Sequence, residues 1–473
     1  MHFEVAAFIA SETEVEDDAM QTVDLARFVV ETPDDAVPLE ALQRARDAVI
    51  DTIGCAIAGT VEQPARIARR YVQSIKAAPD TVVWGSVLRT APADAAFVNA
   101  ISGHALDFDD SLPSLRGHPS VPLCAAGLAA APQEMSGRAF LAAFVLGLEV
   151  AGKLGRALGH GHYMRGWHIT ATVGTFSAAC MTGRLMSLGE GQLRNALGVA
   201  AAETAGLVRN FGTMAKSFQA GHAARSGYMA SWLAREGFTG DDDILDRPGG
   251  LIAAYGDEHS TLDVPPFANP WEIFEPGIYV KRWPCCYGNH RGLAGVFELV
   301  GKHGIEAADI TEINVGFLPD ADKALIHRNP QTGLEAKFSI EYCAAAAVID
   351  GRVTLDSFAE QAVHRPQIRA LMEKVSRVPM PGQGSFSGVV GYTDVEIVTR
   401  SGRFSTRIDH TPGSPEAPMT ASDRRDKFLG CTQGILGTDR AERLLSALEG
   451  LIEAPDLRQI VELTMPAQEG GAA

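Results

Sequence analysis

Between Thr170 and Leu185 the chain runs almost wholly on small or apolar residues, with Gly174, Ala178, Ala179 and Gly183 among them. A helix of that kind is read as a central one, buried on all sides and closely approached by its neighbours. The flanking sequence fits it. Pro38 opens a segment in which Leu42, Val49, Ile53 and Ile57 recur near helical spacing, and Gly59 closes it. Ser136 is placed to cap a helix whose Leu141, Phe144, Val145 and Leu148 form one apolar stripe. Lys216–Glu236 is a further helix rich in Ala and Gly, ended by Gly237. Aromatic residues make up only 7% of the chain, which favours close helix packing through small residues over a β-sandwich.

Helical periodicity holds from about Val23 to Ala268 and breaks after Pro265. Beyond it Ile278–Lys281, Ile310–Phe317, Thr393–Thr399 and Arg403–Asp409 read as strands, the last two joined by the turn Arg400-Ser401-Gly402. Helices are expected between them at His290–Val300, Phe338–Val348 and Ser357–Val363. The tail is helical again, with Phe428, Leu444, Leu445, Leu448 and Leu451 in phase. The predicted fold is mainly α. A large all-helical domain is built from both chain ends (20–268 and 411–465), with an inserted α+β lid at 269–410 and an acidic N-terminal tail at 1–19. At 473 residues the chain has room for both.

The net charge of −17, from 41 Lys+Arg against 58 Asp+Glu, argues against nucleic acid or an anionic membrane as partner. It also means that a site for an anion must gather its cations locally. Seven scattered cysteines without a C-x-x-C pair suggest free thiols in a reducing compartment and leave nothing to ligate an iron–sulfur cluster. The first residues lack the basic and apolar regions of a signal peptide, and the acidic stretch Glu12–Asp18 reads as a mobile tail. No run is long enough to span a membrane, so a cytoplasmic location is expected.

Four clusters could carry chemistry. His104, Asp107, Asp109, Asp110 and Ser111, followed by Gly117-His118-Pro119-Ser120, pack carboxylates, imidazoles and hydroxyls into one loop. They suit general acid–base work, and equally an acidic capping loop with solvated charges. They have no recognised metal-ligand spacing. His168, after Trp167, falls at the N-terminus of the small-residue helix, where the dipole lowers an imidazole's pKa; it could equally be a packing residue. Lys216 starts a helix, the wrong end for a cation unless function or solvent accounts for it. The stretch Lys281-Arg282-Trp283-Pro284-Cys285-Cys286-Tyr287-Gly288-Asn289-His290-Arg291 concentrates the positive charge that an acidic protein would need for carboxylates. Its adjacent cysteines read as buried small residues, since neighbours rarely form a relaxed disulfide. Motifs for nucleotide binding, serine hydrolysis and zinc proteolysis are missing from the sequence.

In this order the segments HALDFDDS with GHPS at 104–120, GWHITATVGTFSAA at 166–179, AKSFQAGHAARSG at 215–227, KRWPCCYGNH at 281–290 and AKFSIEYCAAAAVIDG at 336–351 resemble the MmgE/PrpD family of 2-methylcitrate dehydratase-like enzymes. The resemblance covers most of the chain. It implies a homodimer with an active site between the helical domain and the lid, no metal or organic cofactor, and a small anionic di- or tricarboxylate as substrate. By position it implies that Asp107, His118, His168, Lys216 and Lys281 line the site, where catalytic roles are expected for them, and Ser111, Arg282, Cys286 and His290 are expected to bind substrate. Ser111 stands where relatives often have Thr, and Cys286 stands where the family's decarboxylases have a histidine. The latter counts against decarboxylation.

Dehydration, epimerisation and decarboxylation in this family all develop negative charge at a carbon beside a carboxylate. Fixed cations stabilise that charge most in the transition state. Lys216 and Lys281, with Arg282, are expected to form the clamp. His168 or His118 would move protons, and Asp107 would orient an imidazole. The expected activity is dehydration of a 2-methylcitrate-like hydroxy acid, with epimerisation of a dicarboxylate such as iminodisuccinate as the alternative and cis-aconitate decarboxylation behind both. The non-enzymatic alternative is a helical binding or scaffold protein.

Overall fold

The small-residue stretch forms the predicted helix, Ile169–Leu185, in which every residue except Arg184 is buried. The computed structural model describes residues 20–382 and 391–467, so the acidic tail at 1–19 lies outside the described residues. In chain order the longer helices of the first part are α1 Thr22–Glu31, α2 Leu39–Gly59, α3 Gln63–Ile75, α4 Pro92–Ala105, α5 Ser120–Ala130, α6 Gly137–Met164, α7 Ile169–Leu185, α8 Glu190–Ala202 and α9 Ala215–Arg235. Ser136 caps α6 by accepting the Ala139 N–H at 3.3 Å, and the stripe Leu141, Phe144, Val145 and Leu148 is fully buried.

Small residues let α9 lie against α7. A Cβ on Gly227 would come within 2.5 Å of the Ala178 side chain and 2.7 Å of the Ala179 amide. The few hydroxyls at this contact are satisfied across it: Ser231 donates to the Ala179 carbonyl at 2.7 Å, and Thr182 meets Ser231 at 2.9 Å.

The second part starts at α10, His290–His303, and contains strand β1 Ile310–Phe317, helices α11 Ile340–Asp350 and α12 Pro366–Met372, and strands β2 Val375–Pro379, β3 Thr393–Thr399 and β4 Gly402–Ile408. The sheet order is β2-β1-β3-β4, with β1 and β2 parallel and the other pairs antiparallel. Thr399 pairs with Gly402, which confirms the expected hairpin turn between them. Two helices complete the described chain's main elements, α13 Ala421–Leu436 and α14 Thr438–Glu449.

Apolar side chains gather in two principal cores. One holds the first helices together with Phe428, Leu444, Leu445, Leu448 and Leu451, so α13 and α14 return to it. The other is built on the sheet, α10 and α11, and takes in Tyr163 and Phe211 from the helical part.

Two expected elements differ. Ile278–Lys281 is no strand: Ser111 and Tyr279 exchange a pair of backbone hydrogen bonds at 2.9 and 2.8 Å, and the ladder stops there. The adjoining backbone groups are taken elsewhere, the Val280 N–H by the Gly413 carbonyl and the Lys281 carbonyl by Lys427. Ser357–Val363 divides into a 3₁₀ turn, Leu355–Phe358, and a short helix, Glu360–Val363, because Ala359 between them is extended. Among the described residues no helix is long and apolar enough to cross a membrane.

Candidate active site

The acidic loop after α4 is not solvated. Asp107, Asp109 and Asp110 are 3%, 0% and 0% exposed, which removes the plain capping-loop alternative. Carboxylates so deep must be paired or neutral. Asp107, in a left-handed backbone conformation with φ of 52°, is met by Lys216 Nζ at 2.6 Å and Lys281 Nζ at 3.2 Å on its Oδ1. Burial alone would raise its pKa, but these two lysines hold it well below the ordinary carboxylate range. Asp109 is likewise held low against burial, by His104 and His118. Among the described residues Asp110 has no cation within ion-pair distance, and Lys427 offsets its burial only in part. Burial pushes its pKa up to about 8, and it accepts a hydrogen bond from Ser120 Oγ at the start of α5.

These contacts dictate the proton positions on the histidines. His104 Nδ1 lies 2.8 Å from Asp109 Oδ2, and its Nε2 lies 2.8 Å from Lys216 Nζ, so Nδ1 donates and Nε2 accepts. His118 Nδ1 is 2.7 Å from the Asp110 carbonyl oxygen, which can only accept. His168 Nδ1 is 2.6 Å from Gln219 Oε1, whose amide is oriented by Nε2 donating to the Leu207 carbonyl at 3.1 Å. His118 and His168 therefore both carry a lone pair on Nε2. Burial, together with nearby lysines, presses both pKa values well below the ordinary imidazole value. His168 also occupies the cap position of α7, as predicted from the sequence.

Three consecutive backbone carbonyls receive three lysines. Lys337 donates to the Leu106 carbonyl at 2.6 Å, Lys281 to that of Asp107 at 2.8 Å and Lys427 to that of Phe108 at 2.9 Å. Lys337 also donates to the Pro284 carbonyl at 2.8 Å, and Lys427 to that of Lys281 at 2.9 Å. Segments 106–108 and 281–284 are thus joined by ammonium groups from α13 and from the start of the α11 region. Lys427 is further paired with Asp51 at 2.6 Å.

A cavity of about 50 Å³ sits at this junction, lined by Asp107, Ser111, Arg116, His118, Tyr163, His168, Phe211, Lys216, Lys281, Cys286, Ala324 and Phe338, among others. It holds a few waters rather than a six-carbon acid. Seven of the sequence candidates meet here: Asp107, His118, His168, Lys216, Lys281, Ser111 and Cys286. Two do not. Arg282 points away to Asp423, 3.4 Å off, and its side chain is 42% exposed. His290 is buried outside the cavity lining, stacked on Tyr287 with ring centroids 4.7 Å apart and edge-on to Trp283. Lys216, at the unfavourable end of its helix, is buried against Asp107 rather than solvated.

Several residues escaped the sequence-based selection of the site. His104 and Asp109 stand inside the quoted HALDFDDS stretch, and Lys337 and Gln219 inside AKFS and AKSFQAG, yet nothing local separates them from their neighbours. Arg116 and Lys427 carry no sequence signal at all. Atoms of His104, Asp107, Asp109 and His118 lie within 4.8 Å of one another, a grouping that spacing did not reveal and that a metal ion could use. Lys216 Nζ already stands among them, bonded to Asp107 and His104, so the donor set is arranged around an ammonium.

Residues 23–261 match the model of the MmgE/PrpD N-terminal domain, and residues 283–451 match that of the MmgE/PrpD C-terminal domain. Among curated proteins the chain is 29% identical to cis-aconitate decarboxylase of Homo sapiens over 437 residues, which covers 89% of this chain and 90% of that protein. The Mus musculus cis-aconitate decarboxylase is also 29% identical, over 89% of this chain and 88% of its own. That of Aspergillus terreus is 24% identical, over 93% and 95%.

Proposed function

The chain belongs to the MmgE/PrpD family, and from that membership and the geometry above we propose that it moves protons at a carbon beside a carboxylate of a small di- or tricarboxylic acid, with loss of water from a 2-methylcitrate-like hydroxy acid as its reaction. One observation carries this: two imidazoles, each with its Nε2 lone pair free, share a cavity with two lysines that converge on one carboxylate. Lys216 donates to Asp107 and His104, and Lys281 donates twice to Asp107, so each ammonium keeps one N–H for a substrate carboxylate.

Seated on those donors, the acid loses a proton from its neighbouring carbon to an imidazole Nε2. The electron pair delocalises into the carboxylate, where the lysines meet the growing charge in a water-poor site. The C–O bond then breaks, the double bond forms, and the hydroxyl departs as water with a proton from an imidazole. The ring that took the carbon's proton is the one that returns it to the hydroxyl, because the other Nε2 holds a lone pair and no proton, so both groups leave from the same face.

Decarboxylation is the second reading, supported by the human and mouse relatives at 29% identity across nearly their full length. Cys286 weighs against it. Burial pushes its thiol up to about 12, so it neither carries charge nor exchanges protons near neutrality as the decarboxylases' histidine could.

Proton NMR in deuterated water with citrate, 2-methylcitrate, cis-aconitate and iminodisuccinate separates water loss, carbon dioxide loss and configurational exchange. Alkene signals from 2-methylcitrate are expected: its methyl doublet collapses to a singlet if water is lost toward the methylated carbon, and one vinyl proton appears if it is lost toward the other arm. Loss of carbon dioxide from cis-aconitate in their place would move the assignment to the second reading, and inertness toward all four acids would overturn both.

A further inference from the structure

We propose that Arg116 binds a second carboxylate of the substrate and so makes the enzyme selective for acids with at least two. This rests on the reading of the cavity given above and assigns the residue that sets its specificity. The cavity's lysines spend two of their three N–H groups on the protein and keep one each for a single carboxylate, and Arg282, the cation expected from the sequence, faces away. Arg116 lines the same cavity and, among the described residues, has no carboxylate within ion-pair distance. Among the described residues its only side-chain hydrogen bonds run from Nη1, to the Gly155 carbonyl at 3.1 Å and to that of Ser114 at 3.5 Å. Nε and Nη2 are left, the planar pair of donors that matches a carboxylate edge. The next cation along, Arg156, shows the contrast: it is held by Glu272 at 2.6 and 3.2 Å.

The backbone presents Arg116 firmly. Its φ of 58° is uncommon for a residue with a side chain, and its N–H bonds the carbonyls of Leu112 at 2.9 Å and Pro113 at 3.1 Å. Such a conformation persists only where the surroundings impose it, and it is concentrated at ligand sites. Gly117 beside it is pressed onto the start of α7: a Cβ there would lie 2.9 Å from Thr170 Oγ1. The turn thus sets Arg116 and His118 on one rim while the lysines approach Asp107 from the other elements. A substrate with one carboxylate on the lysines has a guanidinium waiting for another.

Glutarate and pentanoate have equal chain lengths and differ by one carboxylate, so their dissociation constants, measured by calorimetry or by ligand-observed NMR, isolate the effect. The wild type should prefer glutarate by about tenfold or more. R116Q should abolish that preference and R116K restore part of it, with pentanoate binding unchanged in both. Full preference retained in a folded R116Q would overturn the assignment while leaving the anion site standing. If R116Q does not fold, R116K decides alone: it keeps the charge and loses the fork, and an undiminished preference there overturns the proposal equally. A wild type that binds neither glutarate nor tricarballylate would instead sink the underlying reading of the cavity.

Discussion

Gln219 does for His168 what the Asp110 carbonyl does for His118: it accepts the Nδ1–H and leaves the lone pair on Nε2. Because burial and the lysines depress both imidazole pKa values, neither ring is protonated at neutral pH, and the acid limb of the activity profile should lie well below about pH 6.5. Lys216→Ala should lower turnover by about a hundredfold or more, since it removes a donor from developing charge; near-normal turnover would take Lys216 out of the chemistry. Asp110 invites a different test. Its folded-state pKa lies above the ordinary carboxylate value, so the folded chain keeps a proton that the unfolded chain has released. Between roughly pH 4 and 8 the contribution of Asp110 to stability should therefore fall as pH rises, by on the order of 1 kcal/mol per pH unit. Asp110→Asn removes that slope, and its Tm relative to wild type should climb from pH 5 to pH 8; a constant offset would contradict the neutral acid. The cationic stretch was visible in the sequence, but not which of its members enters the cavity. Lys281 and Arg282 are successive residues, yet Lys281 reaches Asp107 while Arg282 turns out to Asp423, a divergence that the sequence does not announce.

At the scale of elements, caps and stripes placed both ends of α2, α7 and α9 and the start of α6 within one or two residues, helped by Pro38 before α2, Ser136 before α6 and Gly237 after α9. Strands β1 and β3 alternate or run apolar and were equally legible. β2 was not: it is a short edge strand that pairs on one side only and ends at Pro379, and Val375-Ser-Arg-Val lacks a clean period. Helix contacts were legible only as a wealth of small residues, without their partners. A Cβ on Gly59 of α2 would fall on the Ser102 carbonyl of α4, so Gly59→Ala should cost about 1–3 kcal/mol. Gly430 in α13 is exposed and meets nothing within 4 Å, and Gly430→Ala should add up to about 1 kcal/mol. Urea titration of the pair checks both; equal effects would mean that α2 and α4 have room to part.

Across the whole molecule, the two cores meet where Lys337 and Lys427 tie segment 106–108 to segment 281–284. No local pattern announces such a junction, since its parts lie up to 321 positions apart in sequence (Leu106 to Lys427) and each is an ordinary lysine. Lys427 makes no contact with the cavity, yet Lys427→Met should reduce turnover at least tenfold while leaving the affinity for tricarballylate within about threefold, because it loosens the support of Asp107 and Lys281 rather than removing a donor. Unchanged turnover would show that Asp51 and the carbonyls hold without it. The cavity is also too small for the proposed substrates as it stands, so a wall must yield. With the lysine-held side fixed, segment 318–326, which carries Ala324, is the side expected to move, and tricarballylate should slow amide hydrogen exchange there more than at 106–108.

The three capped carbonyls have a bearing on how such enzymes diversify. Leu106, Asp107 and Phe108 have their oxygens spoken for, so a change of residue there disturbs the catalytic floor before it alters taste for one acid over another. Ser111, Arg116, Cys286 and Ala324 line the same cavity, and none of their side chains donates to those three carbonyls. A library confined to those four positions would explore new acids on an intact catalytic base.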